Sequence, residues 1–196
     1  MPSAILLLAA GSSSRLGQPK QLLLYQGKTL LRRAAETAVA AAGGTSVVIV
    51  TGALHEELLP ELVGLPVQVV RCASWQAGMG ASVKTGLQLL EASKLPLHAV
   101  TIMLCDQPFV TPELLHQLAS MHVATRQPIV AAEYEGVRGV PVHFGLEALP
   151  LLRSLPDAAG ASQLLKQNPQ LVATVAFPEG AIDVDTPEQY AALLAR

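Results

Sequence analysis

The stretch Ala4-Ile-Leu-Leu-Leu-Ala-Ala-Gly-Ser-Ser-Ser-Arg-Leu-Gly-Gln-Pro-Lys20 joins an apolar run directly to a loop rich in glycine and serine. The apolar run, residues 4–10, has the length and composition of a buried strand, and the glycine and serines mark the turn that follows it. In open α/β sheets, the loops at the carboxyl ends of the strands are where ligands bind. The stretch therefore predicts the first strand of such a sheet and a candidate binding loop.

The rest of the chain alternates between strand-like and helix-like segments. Runs such as 47–50 lack polar alternation, which is typical of strands that are covered on both faces in a parallel sheet. We therefore predict a single α/β domain over residues 1–196, a three-layer α/β/α fold with a mostly parallel sheet and one antiparallel hairpin at 133–139. The other predicted strands are 46–51, 67–71, 99–105, 129–133, 140–144 and 172–176, and the predicted helices are 29–42, 54–62, 81–90, 112–121, 146–153, 162–167 and 187–194.

Charge and composition exclude several classes of protein. The chain has 13 Lys and Arg against 15 Asp and Glu, and only 4% of its residues are aromatic, so we expect no nucleic-acid partner. No apolar run approaches the roughly 20 residues of a membrane span, and the apolar start lacks the basic flank of a signal peptide. The two cysteines, Cys72 and Cys105, form no CxxC pair. A reduced, cytoplasmic protein is therefore expected.

The loop after the first strand has the chemistry of a polyanion site. The small residues 9–11 allow close approach of the backbone, three serines add donors, and Arg15 and Lys20 add two cations. A triphosphate is the ligand that suits this combination best. The loop matches neither the Walker A motif nor GxGxxG, and a plain glycine- and serine-rich turn with solvated cations stays open as an alternative.

Acidic residues later in the chain predict a magnesium site. Asp106 follows a strand that is predicted to be buried, so it faces the same crevice as the first loop. Asp183 and Asp185 precede a helix start at Thr186. Because Mg²⁺ on a triphosphate usually takes one or two carboxylates, Asp106 with either member of this pair would suffice. The alternative for Asp106 is that it only caps the turn formed with Pro108.

A fourth segment, Trp75-Gln-Ala-Gly-Met-Gly-Ala-Ser-Val83, places two glycines and a serine before a predicted helix. Taken alone, it indicates only a glycine-rich helix entry. The five histidines show no HExxH or other metal-ligand spacing, and the sequence contains no GxSxG. These observations argue against a zinc hydrolase and a serine hydrolase.

The four segments 8–20, 75–82, 105–108 and 183–188 together resemble one family. In this order they are similar to the MobA-like NTP transferases known as molybdenum cofactor cytidylyltransferases, which are related to the guanylyltransferases of the same cofactor. The resemblance covers nearly the whole chain and implies a nucleotide-diphospho-sugar-transferase-like fold. It implies transfer of CMP from CTP, or of GMP from GTP, to the terminal phosphate of a molybdopterin-type acceptor, with Mg²⁺ as cofactor. A molybdenum hydroxylase or its chaperone is the implied protein partner.

The resemblance also implies a role for each residue of the motifs. Arg15, Lys20 and Asp106 would carry catalysis, and Asp106 and Asp185 would bind Mg²⁺. Ala10 stands where the GTP enzymes tend to have glycine, which points to CTP. The residues that would bind the nucleotide are Leu8, Ala9, Ala10, Gly11, Ser12, Ser13, Arg15, Lys20, Gly80 and Ser82.

The acceptor side departs from the family pattern. Gly139-Val-Pro141 stands where relatives tend to have Gly-Asn-Pro or Gly-His-Pro, and Ser162 stands at the position of an arginine. Three other functions therefore stay open. They are transfer to another phosphorylated acceptor, non-catalytic nucleotide binding in the maturation of a molybdenum hydroxylase, and a reductase activity, which would need a nicotinamide or flavin site.

Overall fold

A computed structural model of the chain describes residues 3–13, 16–93 and 96–196. None of the helices in this part of the chain is long and apolar enough to cross a membrane. Its strands are β1 (Ala4–Ala9), β2 (Leu24–Tyr25), β3 (Lys28–Thr29), β4 (Val47–Thr51), β5 (Gln68–Arg71), β6 (Ala99–Leu104), β7 (Ile129–Tyr134), β8 (Val137–Gly145) and β9 (Val172–Ala176). Its α-helices are α1 (Leu30–Ala42), α2 (His55–Leu58), α3 (Met79–Glu91), α4 (Pro112–Thr125), α5 (Leu149–Arg153), α6 (Ala161–Gln167) and α7 (Pro187–Leu194).

The main sheet is mostly parallel. Its seven described strands follow the order β5-β4-β1-β6-β8-β7-β9. The central strand β1 pairs in parallel with β4 and β6, so that Leu7 is level with Ile49 on one side and Met103 on the other. Only β8 runs antiparallel to its neighbours, β6 and β7. This confirms the predicted fold class, and the predicted hairpin is the turn between Tyr134 and Val137.

Two layers of helices cover the sheet. On one face Leu6 and Leu8 pack with residues of α3, α5 and α6, and on the other Ile5 and Leu7 pack with residues of α1 and α4. Each residue of β1 is buried. Burial on both faces explains why the strand sequences show no polar alternation. Because β1 and β6 are parallel neighbours, their carboxyl ends lie side by side at one edge of the sheet.

Some elements differ from the predicted ones. The predicted helix 54–62 consists of α2 and a 3-10 turn, Leu59–Leu62, because Pro60 has no N–H to continue an α-helix. A small hairpin formed by β2 and β3 lies outside the main sheet and was not predicted. Its turn, Gln26-Gly27, has positive φ angles at both residues, the geometry of a tight hairpin turn. Strands of two residues are too short to show periodicity.

Candidate functional site

A cavity of about 310 Å³, called here the central cavity, lies at the carboxyl ends of β1 and β6. This edge of an open α/β sheet is where ligands bind. Three of the sequence motifs form its wall: the first loop, the entry to α3 and the end of β6. The lining residues are Leu8, Ala9, Ala10, Gly11, Ser12, Lys20, Gln21, Trp75, Gln76, Gly78, Met79, Ser82, Leu104, Cys105 and Asp106.

Lys20 connects two of the predicted metal ligands. Its Nζ donates to Asp106 Oδ2 at 2.5 Å and to Asp185 Oδ1 at 2.7 Å. The side chains of Lys20, Asp106 and Asp185 are 18%, 10% and 20% exposed, so water screens these ion pairs only partly. Burial alone would lower the pKa of Lys20, but the two carboxylates outweigh burial and raise this pKa above its ordinary value. The ammonium is therefore charged at neutral pH.

The other carboxylate oxygen of Asp106, Oδ1, is buried beside the central cavity. Asp106 Oδ1 is buried and accepts no hydrogen bond from the described residues. Leaving such a buried acceptor unpaired costs about 1–3 kcal/mol, so a cation or donor supplied by a ligand would relieve a real penalty. The described residues contain no cluster of three or more His, Cys, Asp or Glu side chains that could hold a metal. Asp106 and Asp185, which both bond to Lys20, supply the one or two carboxylates that a divalent ion shared with a phosphate usually takes.

The two acids before α7 face different partners. In a capping box at the start of α7, Thr186 Oγ1 accepts the N–H of Gln189, and Gln189 Oε1 accepts the N–H of Thr186 at 2.9 Å. The same Oε1 also accepts the N–H of Asp185 at 2.8 Å. Gln189 Nε2 donates to Asp183 Oδ1 at 2.8 Å, whereas Asp185 bonds to Lys20. Burial, followed by the charges of the neighbouring acids, raises the pKa of Asp183. This arrangement favours Asp185 over Asp183 as the partner of Asp106.

Two of the remaining predicted residues, Ser13 and Gly80, do not line the central cavity. The hydroxyl of Ser13 accepts the N–H of Lys20 at 3.0 Å. Gly80 does not line the central cavity: a Cβ there would lie 2.1 Å from the carbonyl oxygen of Pro156, so Gly80 permits close contact between α3 and residues 156–159. Arg15 lies outside the described residues. The predicted nucleotide-binding residues that line the cavity are Leu8, Ala9, Ala10, Gly11, Ser12, Lys20 and Ser82.

Two residues of the cavity wall, Trp75 and Gln21, were not among the predicted site residues. Trp75 lines the central cavity at the entry to α3 and is the single tryptophan of the chain. Gln21 also lines the cavity, is 1% exposed and hydrogen-bonds to the first loop. A glutamine directly after the loop lysine gives no pattern that distinguishes it from a surface residue. Its burial depends on how the loop folds back onto β1.

A second cavity, called here the flanking cavity, adjoins the first. Its volume is about 230 Å³, and it shares Leu104 and Asp106 with the central cavity. A cleft of about 440 Å³ lies between α1 and residues 103–113 and contains none of the predicted site residues. The other residues that line the flanking cavity are Gln107, Tyr134, Glu135, Val137, Val140, Gly180, Ala181 and Asp183.

The chain is similar to several known proteins. The profile of the MobA-like NTP transferase domain matches residues 5–172. "Nicotine blue oxidoreductase" of Paenarthrobacter nicotinovorans is 34% identical over 199 residues, which covers 96% of this chain and 94% of that protein. The crystal structure of Rv0371c from Mycobacterium tuberculosis H37Rv has a TM-score of 0.80 at 28% identity and covers 100% of both chains. A structure of Rv0371c in complex with manganese has a TM-score of 0.77 at 26% identity and covers 100% of this chain and 99% of that one.

Proposed function

Because the chain belongs to the family of MobA-like NTP transferase domains, we propose that it transfers CMP from CTP to the terminal phosphate of a molybdopterin-type acceptor. Pyrophosphate is the second product. The observation that carries this proposal is the meeting of Lys20, Asp106 and Asp185 beside the central cavity. One cation and two carboxylates at that place suit a nucleoside triphosphate that brings a divalent ion with it.

The central cavity would hold the nucleotide. Its volume of about 310 Å³ lies at the lower end of the range of small-molecule sites, so a bound nucleotide would extend beyond it toward solvent. Residues 9–11 would lie along the base and ribose, with Ser82 opposite, and the N–H groups of Ala10 and Ser12 would reach toward the phosphates. Lys20 lies at the acidic end of the cavity, where the triphosphate would be bound. Ala10 favours CTP over GTP, because the cytidylyltransferases that the sequence resembles tend to have alanine at this position.

Asp106 and Asp185 would hold Mg²⁺ or a similar divalent ion. When bound, such an ion offsets the charge of the triphosphate and orients its phosphates. The unpaired Oδ1 of Asp106 supports this assignment. The manganese complex of the related Rv0371c also supports a divalent ion in this family. With a nucleotide bound, Lys20 would exchange carboxylate partners for phosphate oxygens.

The reaction requires no general base. A phosphate monoester has a second pKa of about 6, so at neutral pH the attacking oxygen of the acceptor is already deprotonated. This oxygen forms a bond to the α-phosphorus of CTP, the bond from that phosphorus to the bridging oxygen breaks, and its electron pair leaves with pyrophosphate. No histidine lines the central cavity among the described residues. The chain would contribute position and charge, with Lys20 stabilising the leaving pyrophosphate.

The flanking cavity would hold the acceptor. It shares Asp106 with the central cavity, so a molecule bound there could present its phosphate to the nucleotide. Asp106, Asp183 and Glu135 contribute carboxylates to its wall, and no Lys or Arg lines it among the described residues. Such a wall favours an acceptor whose body is uncharged and rich in N–H and O–H donors, and a pterin has this chemistry.

We place this reaction in the cytoplasm, with a molybdenum hydroxylase or its chaperone as the recipient of the product. Cys72 and Cys105 are both free and buried, as is usual where thiols stay reduced. To test this recipient, the product is added to a purified molybdenum hydroxylase and the gain in activity of the hydroxylase is measured.

A screen of nucleotides and acceptors tests the proposed function. Pyrophosphate release is measured with CTP, GTP, ATP and UTP, with and without molybdopterin, in the presence of Mg²⁺ or Mn²⁺. Fluorescence of Trp75, the single tryptophan, reports nucleotide binding independently. We expect release with CTP and molybdopterin together. Binding of CTP without release under any acceptor would indicate a non-catalytic nucleotide-binding protein, and release with a sugar phosphate or small alcohol phosphate would indicate another acceptor.

One observation favours a second candidate function. The relative that is 34% identical carries the name of an oxidoreductase, so a reductase activity has direct support from a similar protein. The sequence shows no GxGxxG motif for a dinucleotide. Spectral titration with NADPH separates the two functions: saturable binding of NADPH without binding of CTP would replace the nucleotidyltransferase by a reductase.

A further inference from the structure

A single buried amide holds the first loop together. Gln21 is 1% exposed and lies in the 3-10 turn Lys20–Leu22, directly after the loop. Its Nε2 donates to the carbonyl oxygens of Ala9 at 3.2 Å and Gly11 at 2.7 Å. Its Oε1 accepts the hydroxyl of Ser13 at 3.1 Å. Both amide hydrogens and the amide oxygen are thus engaged by the loop.

The same bonds connect the loop to the charged residues of the site. Ser13, which donates to Gln21, accepts the backbone N–H of Lys20 at 3.0 Å. Lys20 in turn bonds to Asp106 and Asp185. The position of the loop backbone and the position of the ammonium therefore depend on one buried side chain.

Peptide geometry shows what the amide does for a bound anion. A trans peptide directs its C=O and its N–H to opposite sides. Because the carbonyls of Ala9 and Gly11 face Gln21, the N–H groups of Ala10 and Ser12 face the other way. A Cβ on Gly11 would meet no atom of the described residues within 4 Å, so none of their side chains restrains this residue from the side. If the amide were absent, a carbonyl could turn and present negative partial charge to a polyanion.

We propose that Gln21 is a positioning residue for the nucleotide. Its amide keeps the Ala9 and Gly11 carbonyls directed away from the triphosphate and leaves the opposite N–H groups available as donors to it. The identity of the ligand as a nucleotide rests on the proposed function. The inference itself requires only that the central cavity bind a polyphosphate.

Two substitutions of Gln21 separate the parts of this role. Gln21→Met keeps the approximate volume and removes all three hydrogen bonds. Gln21→Glu keeps an acceptor for Ser13 but removes both donors and places a carboxylate against two carbonyl oxygens. We therefore expect Gln21→Glu to weaken polyphosphate binding more than Gln21→Met. Thr101→Val is the matched control, since Thr101 is also 1% exposed and bonds to His143 and Ser3 away from the loop.

The experiment measures Kd by Trp75 fluorescence with CTP and with inorganic tripolyphosphate, and thermal unfolding of each variant. We expect Gln21→Met to raise both Kd values by about tenfold and Gln21→Glu by about 100-fold, in line with the loss of oriented donors to a charged group. Thr101→Val should lower the melting temperature while its Kd values stay within about twofold of wild type. In turnover assays, the KM for CTP should rise while the KM for the acceptor stays unchanged.

The outcomes distinguish this inference from the proposed function. If Gln21→Met lowered the melting temperature and left both Kd values at the wild-type level, Gln21 would be merely structural and the inference would be wrong. If wild-type protein bound tripolyphosphate but not CTP, the proposed function would fail while the role of Gln21 could still be measured. A wild-type protein that bound neither ligand would overturn both.

Discussion

Lys20 and Asp106 form an ion pair of 2.5 Å, and the proposed function assigns the same carboxylate to a divalent ion. A metal ion that binds Asp106 must therefore compete with the ammonium for it. A nucleotide that draws Lys20 onto its phosphates removes this competition. Binding of metal and nucleotide should consequently be coupled, each raising the affinity for the other.

Replacement of Lys20 by methionine should separate the two effects. Without the ammonium, the carboxylates of Asp106 and Asp185 repel one another, so Lys20→Met should bind Mn²⁺ alone more tightly than wild type, by about tenfold or more. The same variant should lose about 100-fold or more in turnover, because it lacks the charge that stabilises the leaving pyrophosphate. Mn²⁺ binding is measured by electron paramagnetic resonance and turnover by pyrophosphate release.

Lys28→Met is the control for this prediction. Lys28 pairs with Glu36 at the surface and is 51% exposed, so its loss should alter neither measurement. Unchanged Mn²⁺ affinity in Lys20→Met would show that the ammonium and the metal do not share a site.

The two acids before α7 should respond differently to substitution by asparagine. Asp185→Asn should lower Mn²⁺ affinity in the presence of CTP and reduce turnover by about 100-fold, because Asp185 bonds to Lys20 beside Asp106. Asp183→Asn should leave Mn²⁺ affinity within a few-fold, since Gln189 holds Asp183, and should mainly change the KM for the acceptor. Equal losses of Mn²⁺ affinity in both variants would contradict the assignment of Asp185.

Alanine in place of Gly80 should lower stability, whereas alanine in place of Gly11 should weaken nucleotide binding. Gly80→Ala places a methyl group 2.1 Å from a backbone carbonyl and should lower stability by about 1–3 kcal/mol. Gly11→Ala meets nothing within 4 Å, so the protein should unfold at the wild-type temperature. Its methyl group would nevertheless stand in the wall of the central cavity and raise the Kd for CTP by about tenfold. Calorimetry measures the change in stability, and Trp75 fluorescence measures the Kd for CTP. If the Gly11→Ala variant bound CTP normally, the first loop would not be part of the nucleotide site.

A buried histidine should make stability depend on pH. Burial, with a smaller contribution from His122, lowers the pKa of His143 from 6.5 to about 4. The unfolded chain therefore takes up a proton at higher pH than the folded one, and stability should fall as the pH decreases from about 6.5 to about 4. The full effect is about 3 kcal/mol.

Thermal unfolding between pH 7.5 and pH 4.5 measures this dependence. His143→Asn should flatten it, and the same substitution at the exposed His116 should not. A wild-type melting temperature that stays constant over this range would be inconsistent with a neutral, buried His143.

The fold could be predicted because its strands are buried on both faces. Leu6 and Leu7 are each 0% exposed, although they point to opposite sides of the sheet, and such burial leaves an uninterrupted apolar run in the sequence. The β2–β3 hairpin escaped prediction since two-residue strands carry no periodicity. The break in the predicted helix 54–62 follows from Pro60, which removes one backbone donor.

The site was harder to predict because several of its contacts join distant parts of the chain. The order of strands brings Lys20 and Asp106 to one edge of the sheet, as expected for loops that follow adjacent parallel strands. Gly80 packs against residues 156–159, and no local pattern indicates such a contact. The burial of Gln21 likewise depends on the fold of the loop. Asp183 and Asp185 differ in their partners, Gln189 and Lys20, and the sequence around them does not show this difference.

A crystal structure with CTP and Mn²⁺ tests the central claim most directly, since anomalous scattering locates the metal independently of the nucleotide. We expect CTP in the central cavity, Mn²⁺ bound to Asp106 and Asp185 together with phosphate oxygens, and Lys20 Nζ moved from the carboxylates to the phosphates. A nucleotide bound elsewhere, or Mn²⁺ bound away from both aspartates, would contradict the proposed site.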